Sequence, residues 1–391
     1  MKNELYGDGI RSDFPAIQEM LDSGVSEVCL PRPKNFYLID KTLKIHGGQT
    51  LKLSPTTVIK LADDSNCEML TDCDFNSWKE NVCVDGGIWD MNNKNQEPNP
   101  YWFPGKDGKT AFDRLGVSRG DFTLKAAKKA NALLDFGYSS FCMRFCRIKN
   151  FTLKNVHFKD AVTYCFQGAY LEDFKVCDIF IEFNQGAPKF YNQDGIHFEG
   201  HCKRGLVQNI KGQTHDDMVA LTADDSGPYG PIEDIVIDGV YSTKTHSAVR
   251  LLSHGEPVKN ITIKNVFGDY YTYGIGLTKY HGEEWERGII ENVCIENFKG
   301  CHCKEKFDYG GKQRPLIWIQ AGVDVKNLDV YNVSREEHVN TTPLLHLDEG
   351  ASVENFNAEN ITQKSFVGEI LEVLKLDGSV KNLSTKNITN E

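Results

Sequence analysis

The sequence predicts an all-β fold, a right-handed parallel β-helix running as a single solenoid over residues 1–391. Three observations carry this. A strand-and-turn frame recurs along most of the chain, each frame alternates apolar and polar residues, and helical patterns are scarce. The frame is a polar residue, usually Asn, then four residues with apolar ones at the odd steps, then Asn, Asp or Gly. It occurs at Asn150–Asn155, Asp173–Asp178, Arg204–Asn209, Asp234–Gly239 and Asn260–Asn265. It continues at Asn292–Asn297, Asn327–Asn332, Asn355–Asn360 and Asn382–Asn387.

Alternation such as Ile261-Thr262-Ile263-Lys264 has the two-residue period of a strand, and the flanking Asn residues suit turns, since Asn tolerates left-handed backbone. A strand-plus-turn unit repeating at this period marks a solenoid, which grows by adding coils to one continuous core. A second apolar run follows most frames. Aligning these runs places His197, Ala220, Arg250, Gly276, Trp318 and His346 in one outward column. A slip of one residue would exchange inside for outside.

Residues 1–24 read as an N-terminal cap. Ser12 can N-cap a short helix bearing Phe14, Ile17, Met20 and Leu21 and ended by Gly24. Such a helix would cover the open first coil. Residues 91–133 break the repeat with Pro98, Pro100, Tyr101, Trp102, Phe103 and Pro104, then a lysine-rich stretch; they read either as a loop excursion near the cleft or as an ordinary packed loop.

Composition narrows the function. Forty-four lysines and arginines face 55 aspartates and glutamates, a net charge of -11, which argues against nucleic acid or an anionic membrane as the main partner. No stretch is long and apolar enough to span a bilayer. The segment Met1–Asp8 has no apolar signal-peptide core, so the expected location is the cytoplasm, or outside the cell if a leader has been removed. The twelve cysteines are scattered, mostly inside apolar runs, and are expected to be free thiols packed as small hydrophobes.

The chemistry resides in two acidic clusters on successive coils, Asn192-Gln193-Asp194-Gly195 and Thr214-His215-Asp216-Asp217, with His246 one coil later. The alignment stacks Asp194 next to Asp217, with Asp216 and His246 one step upstream. Neighbouring strands lie ~5 Å apart, so three carboxylates and an imidazole would crowd one patch. Crowded carboxylates cannot all ionise freely. A protonated carboxyl beside ionised ones is what glycoside hydrolysis needs: one protonates the leaving oxygen and another activates water. Asp-Gly after a turn is also ordinary turn chemistry, and Asp-Asp is also found in calcium ligand sets.

Asn192-Gln193-Asp194, Asp216-Asp217 and His246 resemble the Asn-Thr-Asp, Asp-Asp and Gly-His-Gly motifs of family 28 glycoside hydrolases, the polygalacturonase group. The opening Gly7-Asp8-Gly9-Ile10-Arg11-Ser12-Asp13 is similar to the N-terminal segment of many pectinase-like β-helix proteins. The resemblance implies an inverting hydrolase without metal or cofactor, acting on an oligo- or polysaccharide. Asp216 would be the general acid, Asp194 and Asp217 would hold the attacking water, and His246 would support the acid. The family's Arg-Ile-Lys motif, which grips a substrate carboxylate, is replaced here by Gly274-Ile275-Gly276-Leu277-Thr278-Lys279. Gln193 and His197 also depart from the family's Thr and Asp. Asn192, His197, Arg250, Lys279 and Trp318 are therefore the candidate substrate contacts, with Arg250 either the replacement cation or the partner of a nearby Asp, and Trp318 either a flat face for a sugar ring or a residue packed under a loop.

Two other functions fit the scaffold. One is a polysaccharide lyase or epimerase, for which Asp224-Asp225 could add calcium ligands, although a solvated turn before Gly227-Pro228 is the expected role of that pair. The other is a non-catalytic carbohydrate-binding β-helix.

Overall fold

The computed structural model describes residues 4–99, 103–110, 113, 138–184, 192–225, 228–280, 286–304, 313–368 and 372–390. The chain is a right-handed parallel β-helix. It divides into two compact units, residues 1–197 with 226–228, and residues 198–225 with 229–391.

The first unit shows how a coil is built. Three parallel columns of short strands climb it. One joins Glu27–Cys29, Thr50–Lys52, Lys79–Asp85, Met143–Lys154 and Phe166–Glu182. A second joins Tyr37–Ile39, Val58–Leu61, Ile88–Asp90 and His157–Lys159. The third joins Leu43–Ile45 and Leu70–Asp72 to the start of Met143–Lys154. Their inward side chains, among them Val28, Leu51, Val84 and Leu153, are buried.

The expected cap is present as a helix over Phe14–Asp22, burying Ala16, Ile17 and Leu21. Its N-cap is Asp13 rather than Ser12. The buried Asp13 carboxylate accepts instead from the backbone N–H groups of Tyr6, Gly7 and Leu38, which fixes the chain entering the first coil. Phe14 and Met20 are only half-buried, and Gly24 stands in left-handed backbone just past the helix.

Residues 91–99 are no open loop. Asn93 and Gln96 are buried and donate to the carbonyls of Ala161 and Ala62. Tyr101 and Trp102, with most of the excursion beyond residue 110, lie outside the described residues.

In the second unit the recurring frames lie on long strands: Lys203–Gly212, Ile232–Thr245, Val258–Tyr270, Gly288–His302, Val323–Glu337, Ser352–Ser365 and Ser379–Asn390. All pair in parallel, in the register that the sequence frame predicts: Asn327 opposes Asn355, which opposes Asn382. Apolar residues stack coil over coil, as in Ile235, Ile261, Val293, Leu328 and Phe356, all buried. Asn260, Asn265, Asn292 and Asn297 adopt the left-handed backbone that bends the strand. The Asn side chains also bond vertically: Asn292 donates to Asn260 at 2.8 Å, Asn327 to Asn292 at 2.6 Å and Asn355 to Asn327 at 2.7 Å. Such a ladder satisfies the corner amides of successive coils at once.

The second column of this unit comprises Asp217–Thr222, Ser247–Leu252, Ile275–Thr278, Ile317–Ile319, Leu345–Leu347 and Leu374–Leu376. Its register stacks Ala220, Arg250, Gly276, Trp318 and His346, as expected from sequence, and continues to Lys375. All twelve cysteines are free thiols, and burial pushes the Cys67 thiol up to about 11.

Candidate functional site

The predicted site residues fall in both units. In the first, Asn192 takes left-handed backbone, and the buried Gln193 amide donates to the Ala161 carbonyl at 3.1 Å. Backbone bonds from Cys165 and Phe166 to the carbonyls of Asp194 and Gly195 fix the next two residues. Asp194 and His197, three residues apart, meet at 2.6 Å between carboxylate Oδ2 and imidazole Nδ1. The His197 ring stacks on Tyr164 with centroids 4.3 Å apart. Both members of this pair are buried.

In the second unit Asp216, Asp217 and His246 come together, each offering one atom within 4.8 Å of the others. Strand pairing explains the meeting, because Asp217 opposes Ser247 and so brings the preceding residues, Asp216 and His246, level. His246 Nδ1 lies 3.5 Å from Asp216 Oδ1. Asp216 retains 15% side-chain exposure, whereas Asp217 has none.

Asp217 and, in the first unit, Asp194 are buried, so of the three carboxylates only Asp216 is partly exposed. Asp217 is an anchored counter-ion. Its Oδ1 accepts from the hydroxyls of Ser247 and, at 3.0 Å, Tyr273. Its Oδ2 lies 2.8 Å from Nε of Arg250. Burial, and secondarily the charge of Asp217, pushes the Tyr273 phenol well above its ordinary range, so it remains a neutral donor. Arg250 stands in the predicted column, but its guanidinium is already engaged by Asp217 and, at 3.4 Å, by the Thr222 hydroxyl.

Three other expectations also change. Trp318 is only 2% exposed, so it offers no open face. Arg314 lies 4.5 Å from its ring centroid, Tyr273 packs against it, and its indole N–H donates to Asp348. Lys279 is 5% exposed, its side chain running past Gly322. Asp224 is fully buried rather than part of a solvated turn: its carboxylate accepts from the backbone of His254 at 2.6 Å and of Glu256 at 2.7 Å, holding the turn that follows Ser247–Leu252. Burial disfavours charge on His254, but its hydrogen bond to Asp224 and the nearby Asp225 outweigh that and raise its pKa.

Sequence reasoning missed Ser247, Tyr273 and Tyr280. Ser247 was findable, since it follows His246 and the register sets it opposite Asp217. Tyr273 was not. A Cβ on Gly276 would lie 2.8 Å from Tyr273 Cε2, so the missing side chain in the column is what admits the Tyr273 ring. The departure from Arg-Ile-Lys thus has a structural consequence: a phenol ring occupies the space beside Gly276.

No family model matches the sequence, and no curated protein matches it. Solved structures do. An exopolygalacturonase from Thermotoga maritima aligns with TM-score 0.56 at 15% identity, over 98% of this chain and 90% of that one. The A-module of mannuronan C-5 epimerase AlgE6 from Azotobacter vinelandii aligns with TM-score 0.56 at 13% identity, over 98% and 97%. PfbA, a surface adhesin of Streptococcus pneumoniae, aligns with TM-score 0.55 at 16% identity, over 98% and 90%. At such identities the likeness establishes the fold alone, and the chain is a right-handed parallel β-helix of the kind shared by a polygalacturonase, an epimerase module and an adhesin.

Proposed function

We propose that the protein is an inverting glycoside hydrolase acting on an oligo- or polysaccharide. The observation that carries this is the placement of Asp216, a partly exposed carboxyl beside the buried carboxylate of Asp217 and against the imidazole of His246. A second negative charge nearby and an adjoining imidazole suit a carboxyl that must hold a proton and then release it to a leaving oxygen. Asp217, fixed by Arg250, Ser247 and Tyr273, supplies the fixed negative charge. The motif resemblance gives the water-activating role to Asp194, which His197 orients within the first unit. Inversion requires acid and base functions to reside on separate carboxyl groups.

The test is Asp216→Asn. It should lower turnover by several orders of magnitude while leaving the melting temperature within a few degrees of the native protein, with products of inverted anomeric configuration from the native enzyme. Unchanged turnover in Asp216→Asn would refute the assignment. One observation favours a second reading, elimination or epimerisation of a uronate: the Tyr273 ring packs against His246, and its hydroxyl meets both Asp217 and the Tyr280 hydroxyl, offering groups for proton transfer. Unsaturated products absorbing in the ultraviolet, instead of new reducing ends alone, would select that chemistry.

A further inference from the structure

Tyr280 is the one large aromatic near Asp217 and Arg250 that reaches solvent among the described residues, at 41% exposed. Three contacts hold it there. Its backbone N–H, with that of Lys279, donates to the Gln320 side-chain oxygen, each at 2.8 Å. Its hydroxyl meets that of Tyr273 at 2.8 Å, and Tyr273 in turn donates to Asp217. Its ring lies edge-on to Trp318 at 6.4 Å and has the Arg250 guanidinium 5.4 Å from its centroid. The backbone pays for this position: φ is 61°, left-handed for a bulky residue that ordinarily avoids that region. The same left-handed conformation recurs at other bulky positions of the coils, such as Tyr170 and Arg147, so here it sets the direction of the ring.

We infer that Tyr280 is a substrate-contacting residue whose ring stacks on a sugar beside Arg250, so that the preferred substrate places a pyranose face on the phenol and a ring hydroxyl beside the guanidinium. Trp318, the residue that the sequence points to as the platform, lies beneath as its support. A rigid aromatic ring with its polar tip anchored loses little freedom when a ligand stacks on it. The inference rests on the carbohydrate reading of the Asp216 site and names the surface that reading leaves unassigned.

The experiment measures binding without turnover. Oligogalacturonides, oligomannuronides and neutral xylo-oligosaccharides are titrated into Asp216→Asn, followed by intrinsic fluorescence and calorimetry, and then into the same protein carrying Tyr280→Ala or Tyr280→Phe. Tyr280→Ala should weaken binding of the preferred glycan roughly tenfold, a typical worth of one aromatic stacking contact, while Tyr280→Phe keeps the ring and most of the affinity. Equal affinity in Tyr280→Ala overturns the inference, and so does an equal loss in both variants, which would assign the effect to the hydroxyl. Full turnover in Asp216→Asn refutes the hydrolase reading separately and leaves Tyr280 to be judged by binding. If none of the glycans binds the native protein, both fall. Melting temperatures of the variants separate lost contact from lost fold.

Discussion

Replacing Glu337 by Gln tests the physics of the second unit at a site that sequence reading passed over. Glu337, His302 and Arg335 all have fully buried side chains. The carboxylate accepts from His302 Nδ1 at 2.8 Å and from the backbone N–H groups of Val339 and Asn340 at 2.9 and 3.0 Å, with Arg335 Nε at 3.5 Å. Arg335 donates onward to the carbonyls of Pro343 and Thr342. Burial opposes the charge on Glu337, but the bonds from His302 and Val339 and the charges of His302 and Arg335 overcome it and hold the carboxyl at about 2, against an ordinary 4.5. That shift corresponds to roughly 3 kcal/mol of stability. A carboxyl held low in the folded state binds fewer protons there than in the unfolded chain. Its contribution is therefore complete above about pH 4.5 and lost as pH falls toward about 2. Urea unfolding of native protein and Glu337→Gln at pH 7 and near pH 3 should show a gap of about 3 kcal/mol at neutral pH and less than half of it in acid. A gap that keeps its size in acid, or that is absent at pH 7, would refute this account.

Other outcomes follow from the same geometry. Asp217→Asn should cost about 3–5 kcal/mol because it leaves Arg250 buried without its counter-charge, and adding Arg250→Met should return part of that; strictly additive melting shifts would show the pair is not coupled. Gly276→Ala places a methyl 2.8 Å from Tyr273 and should displace the phenol from Asp217, lowering kcat/KM more than the melting temperature, with equal activity counting against the role given to Tyr273. Asn292→Ala removes one donor and one acceptor from the corner ladder and should lower stability by about 1–2 kcal/mol, read as a melting shift. Polygalacturonate should be a poor substrate, since the Arg-Ile-Lys grip is absent and Arg250 is already paired; robust galacturonate release would overturn that.

The repeat determined the fold by itself. Asn at the corners and alternating aliphatics between them dictate where the backbone bends and which side chains face inward, and both are local properties that survive translation into coils. The stacking of Arg250 on Gly276 and of Trp318 on His346 was likewise legible, because register in a parallel sheet follows the apolar pattern. The meeting of Asp216 with His246 could be read for the same reason. Tertiary structure alone decided what each outward side chain does. Whether Asp217 is an open base or the clamped partner of Arg250 depends on Ser247 and Tyr273, which arrive from two further coils. Whether Trp318 is a platform or a support depends on Tyr273, Tyr280 and Arg314 packing around it. Asp13 rather than Ser12 stands at the N-cap of the first helix, and its carboxylate is claimed by backbone N–H groups as far away as Leu38. Period and propensity are carried by neighbours in sequence, whereas burial, pairing and charge are settled by residues roughly one coil apart, and no single stretch of sequence contains both partners.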